Sequence, residues 1–223
     1  MRRRLDLGCG TKRRPGFIGL DRFSLAGAGV VGDLDAGFLP FADNSFELIL
    51  AFHSLEHVRD LGAAMQEIWR VAIPGAQVVI TAPYWASQLN MANPYHKQHF
   101  NEHTPRFWTS APHSDIDTAE WQEPPLGAQW GLSESDHSRP GFEFRCVRIE
   151  FFYFSEYWGL APAMQRRFRK RRVNVCEQIL YHLIAVKNAA DAASIAAHEL
   201  YLPPELDARR QAARSARRRW WPK

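Results

Sequence analysis

The chain has 223 residues and a mass of 25.6 kDa, enough for one full-sized α/β domain and short of the length at which two become the default. Hydrophobic residues at 46%, aromatics at 13% and charged residues at 23% exclude a disordered chain, a collagen-like repeat and a coiled-coil rod. The formal net charge of +4 is uneven: six positive charges sit in Arg166–Arg172 and seven in Arg209–Lys223, and setting these aside leaves fifteen basic residues against 24 acidic ones, so the body is acidic and the cations are local.

Residues 3–7, 16–21, 29–33, 46–52 and 76–82 are short apolar runs punctuated by Gly, Pro and Asp, the pattern of buried parallel strands. Between the fourth and fifth, Leu61, Ala64, Met65, Ile68 and Val71 recur at helical spacing within Arg59–Ala72, and Pro74-Gly75 closes the segment. This is a strand–helix–strand crossover, the unit of a doubly wound sheet. Residues 111–141 read as an irregular insertion, 142–154 alternates as a strand, and 154–174 is a basic connection. A strand-like run at 179–187 and an alanine-rich helix near 188–200 follow. The domain is expected over 1–200, with 201–223 an appended, disordered basic tail in which Trp220-Trp221 joins the arginines.

No apolar run approaches the roughly 18 to 20 residues needed to cross a bilayer, and no apolar stretch backs the Met1–Arg4 start, so a cytoplasmic protein is the expectation. Cys9, Cys146 and Cys176 are odd in number and far apart, which indicates neither a disulfide framework nor a cysteine metal site.

The strongest local signal is Leu5-Asp6-Leu7-Gly8-Cys9-Gly10, an apolar strand running into two glycines one residue apart. Glycines there let the backbone approach a nucleotide-sized ligand, and an acid at the strand end takes an ammonium or hydroxyl. The dinucleotide fingerprint would need glycine at 13, where Arg13 stands, so nicotinamide and flavin cofactors are disfavoured. Asp21 closes the next strand, where a carboxylate can meet a ribose diol. Gly32-Asp33-Leu34-Asp35 ends the third, and Leu39-Pro40-Phe41-Ala42-Asp43-Asn44-Ser45-Phe46-Glu47 leads into the fourth. Gly or acid thus stands at successive strand ends, where an open α/β sheet binds its ligand.

In this order of motifs, from Leu5 to about Pro83, the chain resembles the class I S-adenosylmethionine (SAM) dependent methyltransferases. A looser likeness continues through Asn93–Phe100 to Trp108. The resemblance implies a Rossmann-like, mostly parallel sheet with a final antiparallel strand, SAM as cofactor, and methyl transfer as the activity. It also implies roles by position: Asp6, Gly8, Cys9 and Gly10 would line the methionine part of SAM, and Asp21 the ribose. Asp33 and Leu34 would hold the adenine, and Phe52 and His53 the space beside the sulfonium. The chain departs from the pattern in two places. Lys12 replaces a common third glycine, and the strand begins almost at Met1, so part of the usual cover over SAM must come from another element.

Catalysis by this fold is mostly positioning, with a base needed only for a hydroxyl or protonated amine acceptor. Of nine histidines, His53, His57, His96 and His99 fall with Glu56 on the expected ligand edge; His96 is the candidate acceptor-side base, and His57 is a second, more structural candidate. The spacing of His96, His99 and His103 admits a zinc reading, but no cysteine joins it and no metal is expected. Tyr157, Trp158 and the run Arg166–Arg172 would overlook the acceptor, which points to an anionic small molecule, glycan or lipid head group. The acceptor itself, like the oligomeric state, is not legible. Three rivals remain. A polyamine-synthase-like enzyme would carry more acids in its acceptor loop than the lone Glu102 of residues 83–103. A non-catalytic adaptor would not need the intact Asp6, Gly8, Gly10, Asp21 and Asp33. A nucleic-acid-binding module led by the basic segments would bind RNA with steep salt dependence.

Overall fold

The computed structural model describes residues 3–109, 141–188 and 199–220. Seven strands form one sheet among these residues: β1 (Arg3–Leu7), β2 (Ile18–Asp21), β3 (Val30–Val31), β4 (Phe46–Phe52), β5 (Ala72–Pro83), β6 (Phe144–Tyr153) and β7 (Cys176–Ala185). Their order is β3-β2-β1-β4-β5-β7-β6. All neighbours from β3 to β5 pair parallel, and β7 runs antiparallel between β5 and β6. The expected doubly wound sheet with an antiparallel final strand is therefore present. The order reverses between β1 and β4, so the carboxyl ends of those two strands open the crevice in which such sheets bind ligands.

Alternation along the central strands divides the core between two faces. Ile49, Ala51, Val78, Ile80, Ile179 and Tyr181 belong to one apolar cluster, and Leu48, Leu50, Val79 and Leu180 to the other. Helix α1 (Leu61–Val71) packs the first face through Ala64, Met65, Ile68 and Val71, its start capped by Asp60, which accepts from the Ala63 amide at 2.9 Å. Pro74-Gly75 does not close this helix. Helix α1 gives way at Ala72 directly to β5, and Gly75 takes a positive φ of 75° within the strand. A short α2 (Gln88–Ala92) follows β5, and α3 (Pro162–Arg169) lies in the connection from β6 to β7.

The expected disordered tail is a helix, α4 (Pro204–Trp220), which covers the second face. Pro204 at its start and Glu205 and Asp207 in its first turn suit a helix N-terminus. Leu206 is buried in the second cluster, and Arg210 grips Glu150 through two bonds of 2.8 and 2.6 Å. The insertion at 111–140, most of the alanine-rich 188–200 segment and Trp221 lie outside the described residues. No helix among the described residues is long and apolar enough to cross a membrane.

A second correction concerns the basic run. Its Arg169 does not overlook an acceptor: it is 2% exposed, donates to Glu102 at 2.7 Å and Tyr84 at 3.0 Å, and stacks 3.7 Å from the Phe151 ring centre. Helical periodicity turns this one position inward, while Arg167, Lys170, Arg171 and Arg172 stay exposed.

On β7, His182 is buried and its Nε2 lies 2.6 Å from the Tyr201 carbonyl. Burial above all pushes its pKa down from 6.5 to about 4, against the hydrogen bond to Tyr201. The neutral ring is the native form, so its contribution is present above pH 6.5 and is lost as pH falls towards 4. Acidification through that window is expected to cost roughly 3 kcal/mol at this site. Urea unfolding at stepped pH checks it, and His182→Gln should flatten the slope.

Candidate functional site

At the carboxyl end of β1, Leu7 leads into a turn in which Gly8 and Gly10 have φ of 68° and 58°. The Gly8 and Cys9 amides donate to the Leu20 carbonyl at 2.8 and 3.2 Å, tying the turn to β2. A Cβ on Gly8 would lie 2.4 Å from the Ser54 Cβ, whereas one on Gly10 would meet nothing within 4 Å. The two glycines thus serve different ends. Gly8→Ala is expected to destabilise the fold by roughly 2–4 kcal/mol, from overpacking and left-handed strain together, and Gly10→Ala by only about 1 from strain alone. Thermal melting of the two variants tests the ordering.

Asp21, at the tip of β2, is 9% exposed, and each of its carboxylate oxygens accepts a backbone amide: Gly10 N–H at 2.9 Å and Phe23 N–H at 3.0 Å. Both oxygens retain a lone pair for further donors. Asp33, beyond β3, accepts from the Asp35 amide at 2.9 Å and caps the turn Leu34–Ala36. Gly8, Asp21, Asp33, Leu34, His53 and His57 line one cleft of about 420 Å³, within the usual range for small-molecule sites.

Asp6, Cys9, Gly10 and Phe52 do not line this cleft, although Gly10 adjoins it through its bond to Asp21. Asp6 is buried beside Arg14, whose Nε is 3.3 Å away; burial raises its pKa, and the Arg14 charge and hydrogen bond work against that rise. Arg14 also holds Glu205 of α4 by two bonds of 3.2 Å. Arg14 thereby ties the first turn of the C-terminal helix to Asp6 in β1. Cys9 is buried against Gly19, where an added Cβ would meet its sulfur at 2.8 Å. Phe52 lines instead a second cavity of about 430 Å³ with Trp158, Gln178, Glu205 and Arg209.

His53 ends β4 in the left-handed region, at φ 52°, a conformation disfavoured for a residue with a Cβ. Its Nε2 is 2.7 Å from Gln178 Oε1 and its Nδ1 is 3.4 Å from Glu56 Oε1. Burial opposes the charged ring, but the hydrogen bond and charge of Glu56, with Gln178, prevail and raise its pKa. Beyond it, the His57 and His96 rings meet edge to face, 4.9 Å apart. His57 Nδ1 lies 3.2 Å from the Tyr95 carbonyl and His96 Nδ1 2.6 Å from Asn90 Oδ1. Burial lowers the pKa of His96. Among the described residues, the side chains whose ligand atoms lie within 4.8 Å of one another are Glu56, His57 and His96, not the His96, His99 and His103 whose spacing admits a zinc reading. Arg14, Glu205 and Tyr95 were not singled out from the sequence. Glu205 had a readable signal, since Pro203-Pro204-Glu205-Leu206-Asp207 is a helix start.

A protein-family profile described as "Methyltransferase domain" matches residues 15–80. Among curated proteins, the chain is 52% identical over 44 residues to demethylmenaquinone methyltransferase of Roseiflexus sp. (strain RS-1), covering 20% of this chain and 18% of that one. It is 32% identical over 89 residues to the ubiquinone/menaquinone biosynthesis C-methyltransferase UbiE of Hydrogenovibrio crunogenus, covering 38% and 34%. It is 46% identical over 46 residues to norajmaline N-methyltransferase of Rauvolfia serpentina, covering 21% and 16%. These matches span about a third or less of each relative's length. A solved SAM-dependent methyltransferase from Archaeoglobus fulgidus superposes with a TM-score of 0.52 at 18% identity, covering 82% of this chain and 86% of that one. Residues 15–80 thus match a methyltransferase-domain profile, and the sheet has the fold of a solved SAM-dependent methyltransferase.

Proposed function

We propose that the chain transfers a methyl group from SAM to a small-molecule acceptor. The observation that carries this reading is the Asp21 carboxylate, fixed by the Gly10 and Phe23 amides at the rim of the cleft with a lone pair on each oxygen. That arrangement suits the two hydroxyls of a ribose. Asp33 and Leu34 hold the adenine end, and the Gly8–Gly10 turn with Asp6, Cys9 and His53 surrounds the methionine end. Gly8 is held by packing against Ser54, whereas the space above Gly10 is open and leaves room for a ligand close to the backbone.

Bound SAM supplies an electrophilic methyl carbon on its sulfonium; the acceptor's lone pair takes that carbon while the C–S bond electrons stay on sulfur. The protein's task is orientation and proton removal. With Nδ1 held against a carbonyl oxygen in both His57 and His96, each ring presents a lone pair on Nε2. Burial, which favours the neutral ring, suits His96 to the proton-accepting role.

Exposed Trp85, Leu89, Met91 and Tyr95 rim this edge, favouring an acceptor with an apolar ring. The exposed Arg167, Lys170, Arg171 and Arg172 favour an anionic group upon it. The partial relatives are named for demethylmenaquinone and norajmaline, both small molecules. The test is transfer of labelled methyl from SAM to a panel of phenols, quinols, amines and their acidic derivatives. Label in at least one class, suppressed by S-adenosylhomocysteine, is expected; no label in any class from a chain that binds SAM would refute catalysis on small molecules.

A further inference from the structure

Glu56 follows β4 in the short turn Leu55–His57 and is 1% exposed. One carboxylate oxygen, Oε1, reaches His53 Nδ1 at 3.4 Å and lies 4.0 Å from His57 Nε2. The other, Oε2, is buried and has no hydrogen-bond partner among the described residues. A buried carboxylate oxygen left in this way costs on the order of 1–3 kcal/mol or more, and native structures satisfy such atoms.

The two histidines beside it are oriented from behind. His57 Nδ1 faces the Tyr95 carbonyl and His96 Nδ1 faces Asn90 Oδ1, so in each ring Nδ1 holds the proton and Nε2 is left bare. Asn90 is itself 2% exposed, which fixes the His96 ring. The Lys97 and Gln98 amides both donate to the Glu56 carbonyl, at 2.7 and 3.1 Å, clamping the loop that carries His96 onto the turn that carries Glu56 and His57.

We propose that Glu56, His57 and His96 form a binding site for a divalent transition-metal ion of the zinc type in the wall of the cleft. Their ligand atoms lie within 4.8 Å of one another, and tetrahedral ligands at about 2.0–2.2 Å from zinc stand about 3.4 Å apart, so small side-chain rotations close the site. Two imidazoles and one carboxylate, each histidine backed by a carbonyl oxygen, leave a fourth position for an exogenous oxygen or nitrogen. His57 and Tyr95 line the cleft, which puts the site at its wall. With the His96 Nε2 lone pair on the metal, that nitrogen no longer takes the proton; an acceptor hydroxyl bound to the metal would lose it to solvent more readily instead. Metal binding stands without methyl transfer; only this use of it rests on the methyltransferase reading.

The test uses tag-free full chain, stripped with chelator and titrated with Co²⁺ in the absence of SAM and acceptor, then with Zn²⁺ as competitor. One equivalent of Co²⁺ giving visible tetrahedral absorption, displaced by Zn²⁺, is the expected result. His57→Ala and His96→Ala should each weaken binding at least about tenfold, and Asn90→Ala, acting through the ring it orients, by about tenfold. Unchanged metal-free melting of the two histidine variants, whose rings are partly exposed, shows that the fold is kept, and they carry the test even where Glu56→Gln fails to fold. Absence of saturable Co²⁺ binding, binding that survives both histidine variants, or thiolate charge-transfer absorption from a cysteine site would overturn the proposal. None of these outcomes bears on SAM affinity, which is read separately.

Discussion

Replacing Arg169 by alanine is expected to be among the most damaging single changes in the chain, lowering stability by roughly 3–5 kcal/mol. The variant leaves Glu102, 8% exposed, without the cation 2.7 Å away, and Tyr84 without the guanidinium it accepts from. The pair reports the same coupling: Glu102 is driven down by the Arg169 charge and hydrogen bond against the burial that would raise it, and Arg169 is driven up by Glu102 against its own burial. Breaking one partner of such a pair costs far more than the intact pair contributes, because the survivor remains buried and charged. The guanidinium also covers the Phe151 ring, a contact that a shorter side chain vacates. Arg171→Gln, two residues along and exposed, should change stability by no more than about 0.5 kcal/mol. Chemical denaturation of the two variants side by side checks the contrast, and equal effects would mean that Arg169 is not buried in solution.

The second large effect concerns ligand affinity. Asp21→Ala removes both acceptors that the ribose diol is proposed to use, each a hydrogen bond to a charged group worth about 1.5–3 kcal/mol. SAM affinity should fall at least about a hundredfold. Asp21→Asn is the sharper probe. Its amide keeps one oxygen but turns an N–H₂ towards either the Gly10 or the Phe23 amide, now 2.9 or 3.0 Å from a donor instead of an acceptor. An intermediate loss of affinity with a modest loss of stability is expected, read by calorimetry and thermal melting together. An Asp21→Asn chain that bound SAM as well as the parent would exclude the ribose role.

These two residues also mark how far the sequence could be read. Asp21 was legible because it ends a buried parallel strand, and the end of such a strand is fixed to the ligand edge by the topology alone. The same logic placed Gly8, Gly10 and Asp33. Arg169 was not legible. It sits in a run of six basic residues, and what buries it is a carboxylate 67 positions away, a pairing that local pattern does not encode. The tail failed differently: its composition is that of a solvated arm, and one apolar residue, Leu206, with Glu205 and Arg210 at ion-pairing positions, docks the helix. Glu56 was noticed on the ligand edge, but that its second oxygen faces no donor depends on side-chain geometry which spacing leaves open.

The proposed activity requires SAM to occupy the cleft between the β1 turn and the Asp21 tip. Calorimetric titration of the folded full chain with SAM and with S-adenosylhomocysteine is the measurement to make. One saturable site for each, the two ligands competing, is the predicted result. No heat and no thermal protection from either ligand, in a chain whose circular dichroism shows the mixed α/β fold, would contradict it and leave the fold without a SAM site.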